Sequence, residues 1–392
     1  MMDEGLRERA TGRAPIGEHP ESTRELSVRG RGTRHALATC NRQTVGNPLA
    51  ARVLGGMPLA ASREMAKLEE LLLFVLGPSE TLGRFVAERL GIAVAPHELR
   101  RFEDGEHKIR PLVSARGRDV YVLCSLYGDA SESVDDRLIR ALFFVGSLRD
   151  AGAGRITLVA PYLCYARKDR RTNPRDPVTT RYVARMIEAA GADRVVTVDV
   201  HNLAAYENAF RIGTEHLEAR PLFVERCRAL GDRLAVVSPD PGGFHRAEAL
   251  RDALEHEGAS VELAMLGKHR KGGVVRTEAF VGDVEGRSAV IVDDLIVSGT
   301  TLVRAAEACR ARGATAVHAM ATHAMFGPAA AGALATPLID AIVVTDSVSP
   351  ERTALGEVRA KLAVASIAPL LAGAIGALHH ERSMAQVIEA GG

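Results

Sequence analysis

Apolar positions are unpatterned through residues 1–68 and become regular from Leu71 onward. Leu71–Leu76 is an unbroken apolar run, as in a strand buried on both faces, and Glu80–Leu90 follows with helical spacing. Strand-like runs recur at Asp119–Leu126, Ile156–Pro161 and Arg194–Val200. Between them lie amphipathic stretches, Val134–Asp150 and Val178–Ala190, which run out at Gly152 and Gly191. Alternation of this kind predicts a mostly parallel sheet with helices on both faces.

The pattern then restarts, with helices at Pro221–Leu230 and Phe244–His256 and strands at Leu234–Val237 and Val261–Leu266. A strand from Ser288, a helix over Leu302–Arg312 and strands at Ala316–Thr322 and Ala341–Thr345 come next. The Ala- and Leu-rich Leu362–Leu378 reads as a closing helix. The fold class is therefore α/β, with two successive domains over residues 69–215 and 216–378 and a fraying tail over 379–392. Residues 1–68 are rich in Arg, Gly, Glu, Thr and Pro, which predicts a disordered extension. Its acidic residues argue against a transit peptide, and a start at Met57 or Met65 is an alternative.

Composition narrows the function classes. A chain of 392 residues with 46% hydrophobic and 25% charged residues has room for a sizeable core and the balance of a soluble protein. A net charge of +1 and the absence of Trp disfavour a nucleic-acid partner. No apolar run approaches the length of a membrane span. Five scattered cysteines without metal-ligand spacing suit a reducing, cytoplasmic setting.

The most informative stretch is Ser288–Leu302. An apolar strand meets two carboxylates, Asp293 and Asp294, and then a small-residue loop, Ser298-Gly299-Thr300-Thr301, that opens a helix. Free backbone N–H groups and the helix dipole at such a terminus favour a phosphate, and Gly299 permits close approach. The carboxylates suit sugar hydroxyls or a hydrated cation, so a phosphate-plus-polyol site follows.

Five further segments carry candidate chemistry. Phe102-Glu103-Asp104-Gly105-Glu106 could stack on a purine and accept its exocyclic amine, although Asp- and Gly-rich surface turns are common. Tyr165-Ala166-Arg167-Lys168-Asp169-Arg170-Arg171 leaves the carboxyl end of a strand with four cations. That suits a polyphosphate; a solvated basic loop is the plainer reading. Asp199-Val200-His201 ends the next strand with a carboxylate and an imidazole on one face, fit for a divalent cation, although a lone strand-end Asp-x-His is more often structural. Ser238-Pro239-Asp240-Pro241-Gly242-Gly243 adds Asp240 as a second candidate for that cation. Lys268-His269-Arg270-Lys271-Gly272-Gly273 reads as a basic loop able to close over phosphates, with a flexible charged loop as the plainer reading.

The stretch at 293–301 resembles the PRPP-binding motif of the type I phosphoribosyltransferase superfamily. With the five other segments, in order from Leu71 to Leu378, the chain resembles the ribose-phosphate pyrophosphokinase (PRPP synthetase) family. The resemblance implies two phosphoribosyltransferase-like domains and transfer of the β,γ-diphosphoryl group of MgATP to ribose 5-phosphate. It implies that Asp293, Asp294, Ser298, Gly299, Thr300 and Thr301 bind ribose 5-phosphate. ATP would fall to Phe102, Asp104, Glu106, Arg167, Lys168 and Asp169, the first three reaching in from a neighbouring subunit of a homo-oligomer. His201 and Asp240 would hold Mg²⁺, and Lys268 and Arg270 would act catalytically on the moving diphosphoryl group. Lys168 stands where Gln is frequent, and Val297 where phosphate-activated members often carry an acid. The latter implies weaker phosphate activation and weaker ADP inhibition than is usual in the family. A PRPP-consuming transferase and a non-catalytic regulatory homologue are the alternative readings.

Overall fold

The computed structural model describes residues 70–385 and 387, apart from 272 and 273, and leaves the side chains of 268–278 undescribed. The expectation for residues 1–68 lies outside the described residues. Five strands form an all-parallel sheet: β1 (Leu71–Val75), β4 (Asp119–Leu123), β5 (Arg155–Val159), β6 (Arg194–Val198) and β7 (Gly213–Leu217), in that spatial order. A two-stranded hairpin, β2 (His97–Arg101) and β3 (His107–Pro111), stands apart from it.

The second sheet has seven strands. They are β8 (Arg233–Ser238), β9 (Ser260–Lys271), β10 (Val274–Val281), β11 (Ser288–Leu295), β12 (Ala316–His323), β13 (Ala341–Thr345) and β14 (Leu362–Ala365). Their spatial order is β10-β9-β8-β11-β12-β13-β14, and only the β9–β10 pairing is antiparallel. The chain leaves β8 toward one side to make β9 and returns on the other side as β11. The carboxyl ends of β8 and β11 therefore flank a topological switch point, where open α/β sheets bind ligands.

Nine helices cover the described sheets: α1 (Glu80–Leu90), α2 (Val134–Asp150), α3 (Thr179–Ala190), α4 (Leu203–Ala209), α5 (Arg220–Arg228), α6 (Phe244–His256), α7 (Thr300–Arg310), α8 (Ala330–Leu334) and α9 (Ala368–His379). Alternate strand residues serve opposite faces. In the first sheet Val120, Val122 and Ile156 pack against α2 and α3 through Phe144 and Ile187. Leu73, Leu123 and Val196 face the other way, into a cluster shared with Val236, Val290 and Val292 of the second sheet. Helices α1, α5, α6 and α9 contribute to that shared layer. The far face of the second sheet, with Ala235, Ile291 and Ala319, is closed by α7 and α8. No helix among the described residues is long and apolar enough to cross a membrane.

Three expectations are corrected. Leu362–Leu378 is not one helix: Leu362–Ala365 pairs with β13, and the helix begins at Ala368. Ser366 Oγ and Ile367 N both donate to Asp346, at 2.6 and 2.8 Å, and break the run. The basic segment at 268–271 is strand rather than loop, because β9 continues to Lys271 and pairs with β10, with Lys268 opposite Glu278. Within the tail expected to fray, Met384 and Val387 pack on the shared core; 386 and 388–392 lie outside the described residues.

Candidate active site

Residues β11 and β8 lie in parallel register, Ile291 opposite Val237, so Asp293 and Asp294 emerge beside Asp240. Asp240 caps its own turn, its Oδ1 accepting from Gly242 N at 2.9 Å and Gly243 N at 3.3 Å. Asp294 is almost fully buried, and its Oδ2 lies 2.7 Å from His201 Nδ1, just beyond the end of β6. A carboxylate only accepts, so Nδ1 carries a proton, and in the neutral ring Nε2 is left as the acceptor or ligand face. The hydrogen bond to Asp294 raises His201 above its ordinary pKa, against an opposing effect of burial.

The two acids are pushed apart. Burial raises Asp293, and the adjacent Asp294 carboxylate raises it further. Burial acts on Asp294 as well, but the bond from His201 and the nearby Arg246 hold it below the usual carboxylate range. Arg246 Nη1 lies 3.8 Å from Asp293 Oδ1 and 3.9 Å from Asp294 Oδ1. The pair is thus poised to keep one firm negative charge in a site open to solvent.

The phosphate-type loop follows. Gly299 adopts φ 77°, the left-handed region, and precedes α7, which begins at Thr300 rather than Leu302. A Cβ on Gly299 would sit 2.7 Å from Leu334 Cδ2, so α8 closes the space behind the loop. Ser298 Oγ and Thr300 Oγ1 lie 2.9 Å apart.

These groups line one open cavity of about 520 Å³. Of the residues expected at a site, it brings together Arg167, Asp169, His201, Asp240, Asp293, Asp294, Ser298, Gly299 and Thr301. Phe102, Asp104, Glu106, Lys168 and Thr300 are not in its wall. Phe102 is 41% exposed at the tip of the β2–β3 hairpin, with Arg100 stacked 5.2 Å from its ring. Asp104 Oδ1 accepts from Glu106 N at 3.0 Å, which closes that turn. Lys168 points toward Asp176, Nζ to Oδ2 3.7 Å. The side chains of Lys268 and Arg270 lie outside the described residues.

Two family descriptions match the chain. The N-terminal domain of ribose phosphate pyrophosphokinase matches residues 71–191, and a phosphoribosyl synthetase-associated domain matches 260–389. A ribose-phosphate pyrophosphokinase of Chromobacterium violaceum is 38% identical over 82% of this chain and 95% of that protein. The chain belongs to the ribose-phosphate pyrophosphokinase family. A second member, from Fusobacterium nucleatum, is 34% identical over 78% of this chain and 94% of that protein. The crystal structure of phosphoribosylpyrophosphate synthetase from Mycobacterium smegmatis has a TM-score of 0.71 at 32% identity, covering 79% of this chain and 99% of that one.

Within this family frame, sequence reasoning misplaces one residue and misses two. Asp199 does not share a face with His201: its φ of 38° takes it off the strand path, and its carboxylate turns inward to Ala219 N and the Thr322 hydroxyl. Arg170, from the basic run, lines the cavity with Arg167, and Asn202 and Arg246 line it unannounced. Asn202 Nδ2 donates to Asp169 Oδ2 at 2.6 Å, joining the basic loop to the His201 turn. Asn202 directly follows His201 and could have been found from it. For Arg246, three residues past Gly243 on α6, periodicity offered no signal.

Proposed function

We propose that the protein is a ribose-phosphate diphosphokinase that joins ribose 5-phosphate and MgATP to give PRPP and AMP. The anomeric hydroxyl of the sugar attacks the β-phosphorus, and the bond from that phosphorus to the α,β-bridging oxygen breaks. The observation that carries the reading is the convergence of four separate chain segments, bearing Arg167, His201, Asp240 and Asp293 to Gly299, on one cavity at the switch point.

Phosphoryl transfer is mostly positioning and charge stabilisation, which is what these residues offer. The α7 loop, Ser298 to Thr301, would hold the 5-phosphate, and Asp293 and Asp294 the ribose hydroxyls. Arg167 would bind ATP phosphates, with Asp169 and Lys168 fixing its loop. Lys268 and Arg270 would stabilise the diphosphoryl group in flight. Among the described residues no group of three or more His, Cys, Asp or Glu is gathered closely enough to hold a metal ion. That sparse donor set fits Mg²⁺, which keeps waters and substrate phosphates as most of its ligands. His201 and Asp240 would hold it, and the ion would neutralise phosphate charge as it develops.

The turn carrying Phe102, Asp104 and Glu106 is exposed and away from the cavity wall, which supports its serving the ATP site of a second copy in a homo-oligomer. Val297, 37% exposed in the cavity wall, supports weaker phosphate activation and weaker ADP inhibition than is usual in the family; a several-fold rise in rate on adding phosphate contradicts this. A PRPP-consuming transferase accounts for β11 and α7 but not for the first sheet or the basic loop. The test is AMP formation from MgATP and ribose 5-phosphate by the wild type and Lys268→Ala. Loss of such a charge-stabilising group is expected to lower turnover about a hundred- to a thousandfold while calorimetry still detects ribose 5-phosphate. No turnover by a wild type that binds both ligands would point to the regulatory homologue instead.

A further inference from the structure

Beneath the cavity runs a buried polar seam that ties the carboxyl edges of the two sheets together. Asp199 sits at its centre. A non-glycine residue at φ 38° is strained, and it persists only where neighbours over-determine it. The neighbours are identifiable. Its Oδ2 accepts from Ala219 N at 3.1 Å and from the Thr322 hydroxyl. His323 Nε2 lies 3.1 Å from the Val198 carbonyl and 3.3 Å from that of Asp199.

The proton positions follow from chemistry. Carbonyls only accept, so His323 Nε2 is the protonated nitrogen, and Nδ1 accepts from Ser347 Oγ at 2.9 Å. Thr345 Oγ1 in turn donates to the Thr322 carbonyl at 2.7 Å, and Ser347 N donates to Thr345 Oγ1 at 3.1 Å. Thr322, His323, Thr345 and Ser347 all have relative exposures of 2% or less, so none of these bonds competes with bulk water.

The turn beyond Asp199 is held as well. Val200 N donates to His216 Nε2 at 3.2 Å, and His201 then meets Asp294. With Asp199 pinned from β12, and Val200 from β7, little freedom is left in the direction of the His201 ring. We propose that Thr322 and His323 are positioning residues of the active site, which lock the Asp199 turn so that His201 is presented to Asp294. The inference rests on the proposed reaction for its kinetic consequence, but not for the geometry.

The test compares Thr322→Val, which keeps shape and removes the hydroxyl, with Thr322→Ser, which restores it. Misplacement of a site group costs on the order of ten- to a hundredfold in rate. Thr322→Val is expected to lose that much in kcat, with KM for ribose 5-phosphate within about twofold of wild type. Thr322→Ser is expected to recover most of it. Independently of turnover, the backbone amides of Val200 and His201 are expected to exchange hydrogen faster in Thr322→Val, below its unfolding temperature. A lower unfolding midpoint with unchanged kcat and unchanged exchange would overturn the proposal, leaving Thr322 a structural residue only. So would a serine variant as slow as the valine one. Should Thr322→Val not fold, Ser347→Ala carries the test by releasing His323 Nδ1, and unchanged kcat there overturns it equally. If the wild type forms no AMP, the proposed reaction fails, while the exchange comparison still decides whether Thr322 pins the turn.

Discussion

At the residue scale, the site turns on His201 and Asp294. Their hydrogen bond raises the histidine and lowers the carboxylate, so the two shifts support the fold over different pH ranges. The histidine's contribution is complete below its unfolded pKa and is lost as pH rises through its raised value. The carboxylate's is complete above its unfolded pKa and is lost as pH falls through its depressed value. The pair is therefore most stabilising between the ordinary carboxylate and imidazole ranges. In Asp294→Asn the amide can still accept from Nδ1–H but carries no charge. The His201 titration followed by NMR in the ligand-free protein should then move down. A titration that stays put would show that Asp294 is not its cause.

Much of the cavity wall was legible at this scale, because Asp293 and Asp294 lie at the carboxyl end of a strand, Asp240, His201 and Arg167 follow one, and parallel sheets gather such residues at one edge. Asp199 was not. Alternation along an extended chain places it beside His201, and only the positive φ turns it inward. Thr322 and His323 end a strand whose other residues, His318 apart, are apolar, and they carry no motif.

At the element scale, the α7 loop depends on Gly299. An alanine there faces both the left-handed backbone and the Leu334 side chain. The backbone alone costs roughly 1–2 kcal/mol, so Gly299→Ala should unfold at lower temperature and bind ribose 5-phosphate more weakly in calorimetry. Adding Leu334→Ala should remove the clash but not the backbone strain. Wild-type affinity in Gly299→Ala would show that the loop does not hold the phosphate in this shape. Element types were read correctly where a run was long and bounded by glycine, as at Gly91 and Gly191, both left-handed helix ends. They failed at Leu362–Leu378, where a short apolar strand joined to an apolar helix leaves no periodicity to separate the two. The β9–β10 pair was hidden because charged residues in a strand read as a loop.

At the scale of the whole molecule, the two sheets share one apolar layer. Leu371, on α9, is fully buried in a cluster with residues of both sheets. Truncation to alanine should cost about 2–5 kcal/mol. The loss should appear in calorimetry as one lowered transition, since neither sheet can expose that layer alone. Two separate transitions, only one of them moved, would contradict the shared layer. The alternation of strands and helices predicted two α/β units; that they bury a common helical layer could not be read from patterns local to each. Assembly is tested by mixing Phe102→Ala with Lys268→Ala: if the 102–106 turn serves a second copy, the mixture should recover activity that neither variant has by itself.

The central claim is diphosphoryl transfer, and ³¹P NMR of a reaction containing MgATP and ribose 5-phosphate tests it most directly. AMP should appear in step with the two coupled resonances of a diphosphate attached at the sugar's C1, while the 5-phosphate resonance persists. Formation of ADP, or of free pyrophosphate without a C1-linked diphosphate, would contradict it.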